Sequence, residues 1–124
     1  MSGPPRISAA EWEVMRVAWR KGAVTAQETI EELAHRDWSP RTVKTLLNRL
    51  LKKGALTHEA RGQAYVYRPA VRMKDCVGQE SESFLDRVFG GAPGPLLVHF
   101  VKRARLTPAE IRELRRILDE KEDG

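Results

Sequence analysis

Trp38-Ser-Pro-Arg-Thr-Val-Lys-Thr-Leu-Leu-Asn-Arg-Leu-Leu-Lys-Lys-Gly-Ala-Leu56 is the stretch on which the fold of this 124-residue chain turns. Ser39 before Pro40 has the form of a helix N-cap followed by proline at the first helical position, where a missing N–H costs nothing. Val43, Leu46, Leu47, Leu50 and Leu51 then recur at i, i+3, i+4, i+7 and i+8. That spacing lines one wide apolar face of a helix expected over residues 40–53, and Gly54 stops it. The opposite face carries Arg41, Thr42, Lys44, Thr45, Asn48, Arg49, Lys52 and Lys53.

Upstream, Ser8-Ala-Ala-Glu11 and Thr25-Ala-Gln-Glu28 have capping-box form, in which a hydroxyl accepts from the third backbone N–H and the Glu reaches back. They predict a helix over 9–20, with Trp12, Met15 and Trp19 on its core stripe and Gly22 at its end. A second helix is expected over 26–36, burying Ile30, Leu33 and Ala34. Downstream, Leu56-Thr-His-Glu59 and Ala64-Tyr-Val-Tyr-Arg68 read as extended segments around the turn Ala60-Arg-Gly-Gln63. Tyr65 and Tyr67 fall on one face and Val66 on the other, and Pro69 ends the ladder. Helix, helix, helix, hairpin is the order of a winged helix-turn-helix, which residues 1–70 are expected to form.

Residues 71–124 follow another pattern. A long helix is expected over 72–89 with Val77, Phe84, Leu85 and Val88 apolar; Gly90-Gly-Ala-Pro-Gly-Pro95 breaks it. A short helix carries Leu96, Leu97, Phe100 and Val101. A last one, capped by Thr107-Pro-Ala-Glu110, carries Ile111, Leu114, Ile117 and Leu118. These stripes either pack back on the first domain or pair with a second copy. Pairing is the expectation, because the winged unit already has a core of its own. The fold class is therefore mainly α with a small β-hairpin: a winged domain and then a three-helix dimerisation domain.

Composition narrows the function. Hydrophobic residues are 41% and charged residues 31%, so the chain folds with little core to spare. One cysteine excludes a disulfide framework or a Cys-rich zinc site. No apolar run reaches the ~20 residues of a membrane span and the amino terminus lacks a signal-peptide core, so a cytoplasmic location is expected. The net charge of +5 is concentrated: seven of the basic residues and only one acidic residue, Glu59, lie within 38–68. A basic run is often just a solvated face, but this concentration points to an anionic partner.

The polar face of the third helix has what a major-groove reader needs. Arg and Lys match guanine, Asn matches adenine, a Thr methyl touches thymine, and flanking cations meet phosphate. Arg41, Thr42, Lys44, Thr45 and Asn48, in its amino-terminal half, are the candidate groove residues; Arg49 is a further DNA-binding candidate on the same face, and Lys52 and Lys53 are placed for phosphate. Arg61 at the hairpin tip is a candidate wing contact or a solvated turn residue. Trp38 suits either packing against sugar-phosphate or a hydrophobic staple. Cys76 reads as a small buried hydrophobe, the alternative being a redox switch. Catalytic groups are not expected: His35, His58 and His99 lie in separate elements without ligand spacing, and no nucleophile–base pair, phosphate loop, metal site or cofactor motif is visible. The competing readings are a winged protein-interaction module without specific DNA binding, or a repressor answering a metal or redox signal.

Ile7-Ser-Ala-Ala-Glu-Trp-Glu-Val-Met15, the Trp38–Leu56 block, and the hairpin ending in Tyr65-Val-Tyr67 resemble the BlaI/MecI/CopY-type penicillinase repressor family. The likeness continues through Ser83–Phe89 and Leu106–Leu114. It implies a homodimeric winged-helix repressor of β-lactam-resistance or related operons. Such a repressor binds double-stranded inverted-repeat operators through the third helix and dimerises through the carboxy-terminal helices. The resemblance also implies release by proteolysis, triggered by a membrane-embedded metalloprotease sensor, at an Asn–Phe bond. The matching bond here is His99–Phe100, placed in the stretch between two amphipathic segments. The copper-responsive branch carries a carboxy-terminal cysteine pair, whereas this chain has Cys76 alone.

Overall fold

A computed structural model of the chain describes residues 3–124. Its elements are α1 (Ala9–Lys21), β1 (Val24–Thr25), α2 (Ala26–Glu32), a 3₁₀ turn (Ala34–Arg36), α3 (Pro40–Lys53), β2 (Leu56–Arg61), β3 (Ala64–Pro69), α4 (Met73–Phe89), α5 (Pro93–Arg103) and α6 (Pro108–Asp123). They divide into two compact units, Met1–Glu82 and Ser83–Gly124, so the division falls inside α4.

In the first unit the three helices form because their ends are closed locally. Ser8 Oγ accepts from Glu11 N at 3.2 Å while Glu11 Oε1 accepts from Ser8 N at 2.9 Å. Thr25 and Glu28 repeat the arrangement at α2. Ser39 Oγ accepts from Thr42 N at 3.1 Å at the head of α3. Gly54 (φ 81°) donates to Leu51 O and Ala55 N to Leu50 O, a Schellman ending that only a residue at ease with positive φ closes cheaply. Val43, Leu46, Leu47 and Leu50 are buried, and Leu51 is half-buried. They meet Val14, Met15 and Ala18 of α1, Leu33, Leu56 and Tyr67 in one cluster.

Four details differ from the sequence expectations. The second helix stops at Glu32, and the chain goes on as a 3₁₀ turn ending at Asp37, which takes a left-handed φ of 59°. Ala34 is therefore exposed, and Thr29 is buried instead, its Oγ1 satisfied by Thr25 O at 2.8 Å. Trp12 and Trp19 border the core and are not enclosed by it. Their rings lie 5.5 Å apart, and Trp19 Nε1 donates to Val71 O at 3.0 Å. The hairpin is not two-stranded: Val24 pairs with Tyr67 and Thr25 with Val66, giving an antiparallel sheet of order β1-β3-β2. Flanked on both sides, β3 buries both Val66 and Tyr67. Finally, the strands run further than expected and leave Gly62-Gln63 as a two-residue turn, with Gly62 at φ 65°.

Helix α4 begins in the first unit, where Cys76 is part of the core cluster. Burial, with the Asp75 carboxylate adding to it, pushes the thiol above its usual range. That is the environment of the small buried hydrophobe expected of Cys76, not of an exposed, low-pKa thiol. In the second unit Gly90 (φ 60°) and Gly91 (φ 86°) end α4. The expected break over 90–95 shrinks to three residues, because α5 starts at Pro93. Pro93 and Pro95 lie in its first turn, where backbone N–H groups have no partner to lose. Val88, Leu97, Val98, Phe100, Val101, Ile111, Leu114, Ile117 and Leu118 are exposed in the single chain. Phe84, Leu85 and Leu96 are half-buried.

Candidate nucleic-acid interface

The candidate surface is the outer face of α3. The capped start and the buried apolar face fix the helix rotation, so Arg41, Thr42, Lys44, Thr45, Asn48, Arg49 and Lys52 are all exposed. Two hydroxyls are spoken for. Thr45 Oγ1 donates to Arg41 O at 2.9 Å, and Thr42 Oγ1 lies 3.1 Å from Ser39 Oγ within the cap. Thr45 therefore offers a methyl group and an acceptor lone pair rather than a donor.

Charge on this face is unneutralised. Among the described residues, Arg41, Lys44, Arg49 and Lys52 have no carboxylate within 4.0 Å. Elsewhere in the same unit Arg16, Arg20, Arg36, Arg61, Arg68 and Arg72 each have one. Arg61 closes β2 beside the wing turn and lies only 3.9 Å from Glu59, which Arg68 holds more closely at 2.8 Å. Trp38 packs on the core edge, with the Arg36 guanidinium 5.4 Å above its ring. Trp38 is half-buried there.

Lys53 is the correction. The sequence places it among the phosphate contacts, but its ammonium pairs with the Glu11 carboxylate and donates to Arg6 O at 2.9 Å. Glu11 is 2% exposed. Burial alone would raise its carboxyl; the hydrogen bonds from Lys53 and from the Ser8 backbone outweigh that and hold it below the usual range. Lys53 thus ties the end of α3 to the start of α1. The sequence marks Glu11 only as a capping residue, because a pairing 42 residues away has no local signature.

His99 and Phe100 lie in the middle of α5, not in a stretch between amphipathic segments. Their rings are 5.6 Å apart and both are exposed in the single chain. Among the described residues, no group of three potential metal ligands occurs, and no helix is long and apolar enough to cross a membrane.

Comparison with known proteins adds to this geometry. A family profile described as penicillinase repressor matches residues 7–120. The penicillinase repressor of Bacillus licheniformis is 41% identical over 117 residues, covering 94% of this chain and 91% of that one. The methicillin resistance regulatory protein MecI of Mammaliicoccus sciuri is 40% identical over 116 residues, covering 93% and 94% respectively. The solution structure of monomeric B. licheniformis BlaI in complex with the blaP half-operator is similar to 60% of this chain and 93% of its own, with 45% identity and a TM-score of 0.53.

Proposed function

The chain belongs to the penicillinase repressor family, and from that premise we propose that it is a homodimeric repressor that reads inverted-repeat operators through α3. The observation that carries the reading is the α3 face itself: four unpaired cations interleaved with Thr45 and Asn48, set rigidly against a complete apolar underside. The amino-terminal half of α3, from Arg41 to Asn48, enters the major groove. Arg49, Lys52 and the wing residue Arg61 meet the backbone on either side. One protomer of the relative occupies a half-operator, which fits one winged unit per half-site.

The exposed apolar residues of α4, α5 and α6, with Val77 at their head, supply the contact with a second copy. Repression then depends on two half-sites being held at once, so loss of the dimer contact drops binding to single-site affinity. Operons of the β-lactam-resistance class are the targets this membership suggests. Scission of the His99–Phe100 bond by a membrane-embedded metalloprotease would separate the end of α5 and all of α6 from the repressor. Because that bond is inside a helix, cleavage requires α5 to unwind first. Fragment masses from induced cells would test this step: derepression with the chain intact, or cut elsewhere, rules it out.

Binding to operator and unrelated duplex tests the main reading. Lys44→Ala or Thr45→Ala should weaken operator binding by ~1–3 kcal/mol while leaving non-specific binding nearly unchanged. Lys52→Ala should weaken both alike and make the salt slope shallower by about one unit. Parent-like operator binding by all three variants would overturn the assignment.

A further inference from the structure

The segment Gly3–Ser8 ahead of α1 is held at several points although it forms no regular element. Gly3 passes so close to α4 that a Cβ there would sit 3.0 Å from Gln79 Oε1. Pro4 and Pro5 each lock φ and stiffen the next step. The Arg6 carbonyl accepts from Lys53 Nζ at 2.9 Å, Ile7 is buried in the core, and Ser8 caps α1. The backbone of Arg6 is therefore fixed beside the last residue of α3.

Its side chain is exposed and, among the described residues, has no carboxylate partner within 4.0 Å. The first unit contains nine arginines, and six of them are paired. The three left unpaired are Arg41, Arg49 and Arg6: two on α3 and one tied to its end. Lys53 lies one turn beyond Arg49 on the same flank of the helix. The Arg6 backbone is thus held at the end of the flank that carries Arg49. A helix seated in the major groove has a phosphate row along each flank, and cations there bind whatever the sequence.

We infer that Arg6 is a phosphate-binding residue on a pre-organised arm, contacting the DNA backbone at the carboxy-terminal end of α3, with Lys53 as the residue that positions it. The inference rests on the proposed DNA-binding function and adds a contact to it. Because the arm is already ordered by the two prolines, Ile7 and Lys53, little conformational freedom is lost on binding.

Since a phosphate contact is sequence-independent, the full chain can be titrated against a duplex of arbitrary sequence about three helical turns long, over a range of salt. Arg6→Ala should weaken binding roughly three- to tenfold at moderate salt and make the slope of log affinity against log salt shallower by about 0.9, the change also expected of Lys52→Ala. Arg6→Lys should restore the slope, and Arg20→Ala, whose guanidinium is paired with Glu32, should match the parent. In a Lys53→Gln background, assayed where circular dichroism shows a folded chain, Arg6→Ala should have less than about a twofold effect. A parent-like slope for Arg6→Ala beside a shallower one for Lys52→Ala overturns the arm and leaves the α3 reading standing. A full Arg6→Ala effect in the Lys53→Gln background removes the positioning role. No duplex binding by the parent overturns the arm together with the reading it rests on.

Discussion

Replacing Lys53 by Met keeps the aliphatic stem and removes the ammonium that neutralises Glu11, whose side chain is 2% exposed. Taking one partner from a fully buried ion pair costs about 3–5 kcal/mol. Here two features reduce that cost. Lys53 is itself 35% exposed, so water already screens the pair from that side, and Ser8 N–H still donates to Glu11 Oε1 at 2.9 Å. A loss of about 2 kcal/mol at neutral pH follows. With a urea slope of about 1–1.5 kcal/mol per molar for a unit of this size, the unfolding midpoint should fall by roughly 1.3–2 M. The loss should depend on pH. In the parent the Glu11 carboxyl is held below its unfolded value, so its stabilisation is fully present above the unfolded pKa and disappears as pH falls through the depressed folded value. In the variant the carboxylate is left buried without its cation, which pushes its pKa up and penalises the folded state at neutral pH. The gap between parent and variant should therefore be widest near neutrality and close under acid. Urea unfolding of both proteins at one chain concentration, at neutral pH and near pH 3, measures it. Equal midpoints at neutral pH, or a gap unchanged in acid, would refute the assignment of Lys53 as the partner of a buried charge.

Three other outcomes follow from the same packing. Cys76 should react with a thiol reagent only as fast as the first unit opens, so rapid stoichiometric labelling of the native chain would contradict its place in the core. Ending the chain after Glu82 should leave a cooperatively melting unit, whereas ending it after Pro69 removes both the Val71 carbonyl that Trp19 uses and the Cys76 side chain. The shorter fragment should lose about 2–4 kcal/mol, read by thermal circular dichroism, and equal melting would count against the boundary at Glu82. Leu114→Asp or Phe100→Asp should shift the chain to monomer in sedimentation and lower operator affinity by about a hundredfold or more while sparing the winged unit; an intact parent that sediments as monomer would remove the proposed dimer.

What the sequence decided by itself is what local chemistry encodes. Ser8 with Glu11, Thr25 with Glu28, Ser39 with Pro40, and Thr107 with Glu110 announce helix starts, because a cap is satisfied within four residues. The i, i+3, i+4 spacing of Val43, Leu46, Leu47 and Leu50 settled which face of α3 is buried, and so which side chains stand outside. The order of elements, and the family likeness carried by the Trp38–Leu56 block, followed from the same residues. Only the tertiary structure decided what depends on groups brought together from afar. Two residues, Val24 and Thr25, have no periodicity to read, and become a strand only because β3 offers an unpaired edge. Ala34 fits a helical stripe, yet α2 ends before it and leaves it exposed. Lys53 looks like its neighbour Lys52 in the sequence. The difference is where each points: Lys52 stands free in solvent, while Lys53 reaches a carboxylate that the fold of α1 against α3 buries beside it. A charge is free or spent according to its surroundings, and surroundings are set by contacts between residues distant along the chain.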